Sequence, residues 1–494
     1  NSKQHGRHGL VDSVNLLVMT DIAPLTSTVV NAANQPDLRG NLMPSAEELT
    51  VDRCHVDGTV PTGLRGTFIR NGPNPMFEPL SSYHMFDGDG MLHGVTFGDD
   101  GVSYKNRWIR SKGLGAELRN GQAVYSGLSE VMHFPGRELT GDAGPIKNPA
   151  NTHIIGHAGR LLALWEGGVP TEVTAALDTV GEFDFDGKLV GAMTAHPRLD
   201  PSTGELFFFA YSLFEPYLRY HVADASGALI HSVDIDLPAP VMMHDFVVTA
   251  DHAVFLDTPI VFDLENLGKG PMVNWKPENG TRIGVMPRMG SAEDVRWFEI
   301  EPGHVQHFWN GWVDGQRIEF SGSRLAAPDF GIDPTAPLDQ QAADNQPGRP
   351  AKFWVDLDSG EAGWEQIDDL PGDFCRINDA FTGVPSRYSY MSAFGGDVGD
   401  PGDFDTIVKY DQHTGERTMW QSGADGHVGE SVFAADPSGS AEDDGWLINA
   451  VYFDATDHSE ICVLDARDVA AGPVVRVRMP QRIPFGFHAN WFPS

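Results

Sequence analysis

Asp200-Pro-Ser-Thr-Gly-Glu205, Asp356-Leu-Asp-Ser-Gly-Glu361 and Asp411-Gln-His-Thr-Gly-Glu416 are three copies of one pattern, Asp-x-x-(Ser/Thr)-Gly-Glu. An Asp that hydrogen-bonds the backbone ahead of it, followed by a Gly free to adopt positive φ, is what a tight hairpin loop requires. Looser relatives stand at Asp184–Gly187 and Asp224–Gly227. Short runs with β-branched or aromatic content flank these turns: Leu161–Trp165, Leu206–Tyr211, Ala253–Leu256, Phe353–Leu357, Ile407–Tyr410, Trp446–Val451 and Ile461–Leu464. Their length predicts strands rather than helices. Repeated hairpins with this punctuation predict an all-β, propeller-like chain, with repeats too irregular in length to give a blade count.

Two stretches interrupt the rhythm. Residues 110–150 and 325–350 are rich in Gly, Pro, Ala and polar residues, and are expected to run over one face as the roof of a site. The strands resume after each, so residues 46–494 are expected to form one catalytic domain, preceded by an N-terminal arm over residues 1–45. Within that arm the apolar stretch from Leu10 to Val30 is broken by Asp12, Asn15, Asp21 and Pro24. It cannot span a bilayer, although Leu16, Leu17, Val18 and Met19 are candidates for peripheral contact with a membrane surface. The first residues are polar, and no secretory signal is expected.

Composition limits the partners. The 494 residues include 69 acidic and 34 basic side chains, a formal net charge of −35. Such a surface repels nucleic acid and anionic lipid at long range. Three scattered cysteines, Cys54, Cys375 and Cys462, are too few for a disulfide framework or a thiolate zinc site, and point to a reducing, cytoplasmic setting.

Of 19 histidines, His5, His8, His413, His427 and His458 lie in polar stretches and are expected at the surface. Four others share apolar flanks near predicted strand ends: His196 (Met-Thr-Ala-His-Pro197), His244 (Met-Met-His-Asp-Phe246), His307 (His-Phe-Trp-Asn310) and His488 (Phe-Gly-Phe-His-Ala-Asn-Trp491). One buried histidine is ordinarily a satisfied core residue. Four in the same setting suit a metal, because a propeller brings distant inner strands to one axis. Neutral imidazoles accept iron, copper, zinc or nickel, and the spacing alone does not choose among them.

Further motifs carry a resemblance. They are Arg70-Asn-Gly-Pro-Asn-Pro75, Tyr83-His-Met-Phe-Asp-Gly-Asp-Gly-Met-Leu-His93, Asn151-Thr152, Gly159-Arg-Leu-Leu-Ala-Leu-Trp-Glu-Gly-Gly168, Glu442-Asp-Asp-Gly445 and the four histidine segments. In this order, from about residue 50 to the last residue, the chain resembles the carotenoid cleavage oxygenase family. The resemblance implies a seven-bladed β-propeller capped by a dome of loops and short helices. It also implies iron(II) held by His196, His244, His307 and His488, with dioxygen as co-substrate. Three rings are then held from behind by carboxylates at Glu166, Asp373 and Glu430. Asp373 is one methylene shorter than the usual Glu, so it is expected to need a shifted backbone or a bridging water. Thr152 matches a position that limits access to the open side of the metal. Asn71, Gly72 and Pro73 are expected to make a tight turn and Gly88 and Gly90 a close backbone approach, with His84 and His93 as structural hydrogen-bonders.

The implied reaction is cleavage of a carbon–carbon double bond in an apocarotenoid or carotenoid, giving two carbonyl products. Trp165, Phe308, Trp309 and Phe487 are candidate linings of an apolar substrate channel. The lignostilbene-cleaving branch carries a lysine where this chain has Trp165, which disfavours, without excluding, a stilbene or propenyl-phenol substrate. A propeller that only binds ligands would be expected to lack one of the histidines. A calcium-dependent propeller hydrolase would use the many aspartates but leave the four histidines unexplained.

Overall fold

A computed structural model describes residues 30–266, 268–337, 347–399 and 402–494. Seven antiparallel sheets form the blades of a propeller, and a separate two-stranded ribbon is inserted in one of them. Blade 1 contains Gly66–Pro73, Gly90–Gly98 and Gly101–Trp108. Blade 2 runs from His153–His157 to Thr179–Glu182, and blade 3 from Arg198–Leu199 to Leu229–Ile235. Blade 4 runs from Val247–Val248 to Arg296–Ile300 and carries the ribbon Ile260–Phe262/Val273–Trp275. Blade 5 spans His304–Asp314 to Ala362–Gln366, blade 6 Gly372–Arg376 to Arg417–Gln421, and blade 7 Val432–Ala435 to Pro473–Arg478.

The ring is closed twice. The last strand, Ala489–Pro493, pairs with Gly66–Pro73 and becomes the inner edge of blade 1. Near the other end of the chain, His55–Gly58 pairs with Pro473–Arg478 on the outer edge of blade 7. Opening the ring therefore breaks hydrogen bonds in two sheets. The described part of the arm is docked as well: Phe485 N–H donates to Asn41 O, and Ser45 exchanges hydrogen bonds with Asn74. The candidate membrane segment Leu16–Met19 lies outside the described residues. Among the described residues, no helix is long and apolar enough to cross a membrane.

Apolar residues on facing sheets pack into clusters between neighbouring blades all the way round. Phe68, Val95, Ile448 and Val475 join blades 7 and 1, and Phe209, Tyr220, Phe246 and Phe255 join blades 3 and 4. Strands buried on both faces read as continuous apolar runs, such as Leu206-Phe-Phe-Phe-Ala-Tyr211. Each side chain of this kind contributes roughly 1.5–3 kcal/mol when fully buried.

The three repeated turns have identical construction. In each, the Asp side chain accepts from backbone N–H groups two and three residues ahead, at 2.7–3.3 Å. Gly204, Gly360 and Gly415 sit at φ 72°, 78° and 73° and close the loop onto the Asp carbonyl. Asp224–Gly227 is a hairpin of the same kind. Asp184–Gly187 is not a hairpin: it follows the last strand of blade 2 and begins the crossing to blade 3.

Asn71, Gly72 and Pro73 do not form a turn either. They continue the strand Gly66–Pro73, where the Asn71 amide donates to Ala150 O and His153 O of blade 2. A Cβ on Gly72 would meet Gly486 Cα at 2.6 Å, and one on Gly90 would meet Ala150 O at 2.6 Å. The glycines there serve close approach, as expected for the Gly88/Gly90 pair. Residues 110–150 carry the helix Lys112–Asn120, a single helical turn Arg137–Thr140 and the 3-10 turn Leu128–Glu130. Leu128 from this stretch, Phe330 and Ile332 from the second excursion, and Phe262 and Trp275 of the ribbon pack together with Met242 and Phe86 as a dome.

Candidate metal centre

One position recurs around the ring, within three residues of the start of the inner strand. Blade 1 places His488 there, blade 2 Thr152, blade 3 His196, blade 4 His244, blade 5 His307, blade 6 Asp373 and blade 7 Glu430. Inner strands touch where blade 1 meets blade 2, blade 4 meets blade 5, blade 5 meets blade 6 and blade 7 meets blade 1. Seven separate stretches of sequence thus deliver one residue each to the same end of the barrel.

The structure gathers His196, His244, His307 and His488, each 3–8% exposed. One ligand nitrogen from each lies within 4.8 Å of all the others. His244 Nδ1 donates to Glu166 Oε2 at 2.6 Å, His307 Nδ1 to Asp373 Oδ1 at 2.9 Å and His488 Nδ1 to Glu430 Oε1 at 2.9 Å. A neutral imidazole has one N–H, so spending it on the carboxylate leaves Nε2 as a bare lone pair. The Nε2 atoms of His244 and His307, both left as lone pairs, face each other at 3.3 Å, and His196 Nε2 lies 2.9 Å from that of His244. Lone pairs so close repel unless a cation lies between them. Nitrogens bound to one ion at about 2.1 Å stand roughly 3 Å apart, which is the spacing found. The donor set therefore fits a transition metal with open positions.

Electrostatics support that protonation pattern at His196 and His488. Burial pushes His196 well below its ordinary value, and the neighbouring rings push it further. His488 is pushed down to about 4, burial outweighing the attraction of Glu430. Burial raises the Glu430 carboxyl, but Arg376 and the His488 ring more than reverse this, holding it well below the usual carboxylate range. For His307, the Asp373 charge overcomes burial and raises the ring.

Asp373 reaches His307 directly, without a bridging water, through a distorted backbone. The ladder between Gly372–Arg376 and its neighbour shifts register between Asp373 and Arg376, and Phe374 sits at φ 56°. A left-handed non-glycine residue costs about 1–2 kcal/mol. The Phe374 ring offsets this by stacking on His307 (centroids 5.7 Å apart, 14° between planes) and meeting His488 edge-on at 5.4 Å.

Thr152 is half-buried, and its carbonyl accepts from His488 N–H at 3.1 Å. Trp165 is half-buried beside Glu166. Phe487 packs with Phe374 and Phe485, its ring 5.6 Å from Phe86 of the dome. Phe308 and Trp309 do not line a channel. Successive side chains on a strand point to opposite faces, and these rings are buried between blades 4 and 5 and between blades 5 and 6 respectively. The Trp309 indole N–H donates to Tyr390 O at 2.7 Å. His84 and His93 lie outside the four-histidine group, bonded to Phe330 O and the Tyr104 hydroxyl. His413 is exposed, but His427 and His458 are half-buried and bonded to Asp454 and Glu460, contrary to the surface expected for them. The three cysteines are free and buried.

Several residues that contact the histidines or their carboxylates gave no sequence signal. Tyr211 Oη donates to Glu166 Oε1 at 2.5 Å. Asp245, bonded to Arg198 at 2.6 Å, accepts from Phe246 N–H and Phe308 N–H, and so clamps the segments carrying His244 and His307. Arg376 donates to Glu430 Oε2 at 3.2 Å and to Ala489 O at 2.9 Å. A fifth histidine, His153, is buried with its ring 5.2 Å from that of His488. Only the adjacency of Asp245 to His244 and of His153 to Thr152 could have drawn attention to these positions.

Residues 42–493 match the family model described as retinal pigment epithelial membrane protein. The carotenoid cleavage oxygenase of Mycobacterium tuberculosis is 34% identical, the alignment covering 95% of this chain and 100% of that protein. The carotenoid 9,10(9',10')-cleavage dioxygenase 1 of Arabidopsis thaliana is 32% identical over 92% of this chain and 89% of that protein. Among solved structures, the lignostilbene dioxygenase of Pseudomonas brassicacearum superposes with a TM-score of 0.85 at 29% identity, covering 96% of this chain and 100% of that one.

Proposed function

The chain belongs to the carotenoid cleavage oxygenase family, and we propose that it uses iron(II) and dioxygen to cleave a double bond of an apocarotenoid or carotenoid into two carbonyl products. The observation that carries this is the convergence of four imidazoles, three with Nδ1 committed to a carboxylate and Nε2 free to face a common centre. Bound there, iron(II) supplies the redox chemistry by which dioxygen reacts with an alkene.

The remaining work falls to this chain's residues. His196, His244, His307 and His488 hold the ion through neutral rings. Glu166, Asp373 and Glu430 fix tautomer and orientation and add negative charge behind the ligands. Thr152, tied to His488 through its carbonyl, limits access to the open side. Met242, Phe262, Phe330 and Ile332 of the dome, with Phe86, make an apolar wall that excludes water and accepts a polyene. Trp165 and Phe487 extend that wall. No side-chain acid or base is required, and the wall selects the bond by where it lets the polyene stop.

The same reading places residues 46–494 in one catalytic domain in the cytoplasm, drawing an apolar substrate from a membrane surface or carrier. A second reading, cleavage of a stilbene or propenyl-phenol, is favoured by the likeness to the lignostilbene dioxygenase structure. Against it stands Trp165, where a lysine would stabilise a phenolate. Side-by-side assays of the iron-loaded enzyme on an apocarotenal and a hydroxystilbene separate the two. Cleavage of the apocarotenal supports the proposal; cleavage of the stilbene alone overturns it.

A further inference from the structure

Three of the four histidines are held by carboxylates, but His196 has none among the described residues. Its ring is nevertheless fixed within the cluster, and the structure contains another device that can do this. His153 Nδ1 donates to Ala195 O, the carbonyl immediately before His196, at 2.7 Å. His153 Nε2 is then a lone pair and accepts from Asn490 Nδ2 at 3.3 Å, while the same amide donates its other hydrogen to Ile154 O at 2.8 Å. Asn490 Oδ1 accepts from Arg376 Nη2 at 3.0 Å. Arg376 Nη1 donates to Glu430 Oε2, and Glu430 Oε1 accepts from His488.

Read from its source, this chain has one direction. A guanidinium is only a donor, so Asn490 must turn its oxygen towards Arg376 and its NH2 towards His153. That makes Nε2 of His153 the acceptor and places its proton on Nδ1, aimed at Ala195 O. The Arg376 guanidinium, the Ile154 carbonyl and the Ala195 carbonyl therefore all enforce one amide orientation and one imidazole tautomer along the bridge. Arg376 is 11% exposed and the Glu430 side chain 3% exposed, so their interaction is little screened. Among the described residues no Lys or Arg forms an ion pair with Glu166 or Asp373, and Arg376 alone pairs with Glu430.

The backbone explains how one strand serves two ligands. In a regular strand, residues three apart point to opposite faces. The register shift between Asp373 and Arg376, with Phe374 at φ 56°, lets Asp373 reach His307 while Arg376 reaches Glu430 and Asn490.

We propose that Arg376 is a positioning residue of the metal centre: it orients His488 through Glu430 and His196 through Asn490 and His153, and its charge biases the site towards the divalent ion. This rests on the four histidines being the iron site. The positive charge opposes loss of an electron by the bound divalent ion, so its removal favours the trivalent state.

The test is a redox titration of the iron-loaded full chain, in which the bound ion gives one electron to a mediator, beside the rate of metal release to a chelator. Arg376→Met should raise the ratio of oxidised to reduced iron at least tenfold at a fixed potential, a midpoint about 59 mV lower. Arg376→Lys keeps the charge and should recover most of that shift. Asn490→Leu cuts the bridge but leaves Arg376 on Glu430; it should release metal about tenfold faster with little change in midpoint. An unchanged midpoint in Arg376→Met at full iron loading overturns the electrostatic role. Unchanged release from Asn490→Leu overturns the bridge. If Arg376→Met does not fold, Arg376→Gln, which keeps an N–H donor but no charge, takes its place: a lowered midpoint supports the electrostatic role and an unchanged one at full iron loading overturns it. A wild-type protein that takes up no iron refutes the reading of the site itself, a result distinguishable from the others.

Discussion

Replacing Glu430 by Gln is expected to do far more damage than the same change at Glu166, and the reason lies in the donors each carboxylate faces. Glu430 Oε1 accepts from His488 Nδ1, and Oε2 accepts from both Ala489 N–H at 2.8 Å and Arg376 at 3.2 Å. Every neighbour is a donor. A Gln must therefore point its NH2 at one of them. Turned towards Ala489 and Arg376, it leaves a buried guanidinium facing a donor. Turned towards His488, it forces the ring into the other tautomer and puts a proton on the nitrogen that should bind metal. Breaking a buried ion pair costs about 3–5 kcal/mol. At Glu166 the second oxygen accepts from the Tyr211 hydroxyl, which can reverse and accept from an NH2, so the His244 bond survives and the cost is about 1 kcal/mol. Urea unfolding of the metal-free proteins should show this difference directly. Metal titration should then show Glu430→Gln weakened by about 100-fold and Glu166→Gln by about 10-fold. Equal stabilities for the two variants would refute the reasoning.

Trp309→Phe removes one buried hydrogen bond to Tyr390 O and should cost about 1–3 kcal/mol in unfolding; chromatography of the cleavage products should find their ratio unchanged, because the ring lies between blades. Phe374→Ala should destabilise by about 3–5 kcal/mol and also speed metal release, since the ring packs on His307 and His488; normal release kinetics would separate the bulge from the site. Burial, with the nearby Asp37 adding to it, raises Asp87 to about 7. The folded state then binds this proton more tightly than the unfolded chain, so the contribution of Asp87 to stability is most favourable below about pH 4 and is lost as pH rises towards about 7. Unfolding free energies of the wild type and Asp87→Asn should converge or cross over that window, and parallel curves would count against it.

Much of the architecture was legible because its signals are local. An Asp-initiated loop with Gly at positive φ is written within six residues, and Asp200, Asp356 and Asp411 all build it. The four histidines and three carboxylates were legible through motifs, each sitting at a chain segment with its own flanking pattern. What stayed hidden depends on contacts remote in sequence. Arg376 meets Ala489 across 113 residues, and nothing near either predicts the pairing. Tyr211 ends an apolar strand like other strand-end tyrosines, and only the fold brings its hydroxyl to Glu166. Phe308 and Trp309 misled because adjacency to His307 suggests a shared surface, whereas strand geometry sends their rings to different blade interfaces. The outer-edge strand His55–Gly58 is short and largely exposed, so no apolar pattern marked it.

Iron content decides the central claim most directly. After anaerobic loading with iron(II) and removal of excess metal, the wild-type chain should retain about one iron and the His307→Ala chain essentially none, with turnover of an apocarotenal lost in parallel. Full iron retention and full activity in His307→Ala would contradict the assignment of the centre.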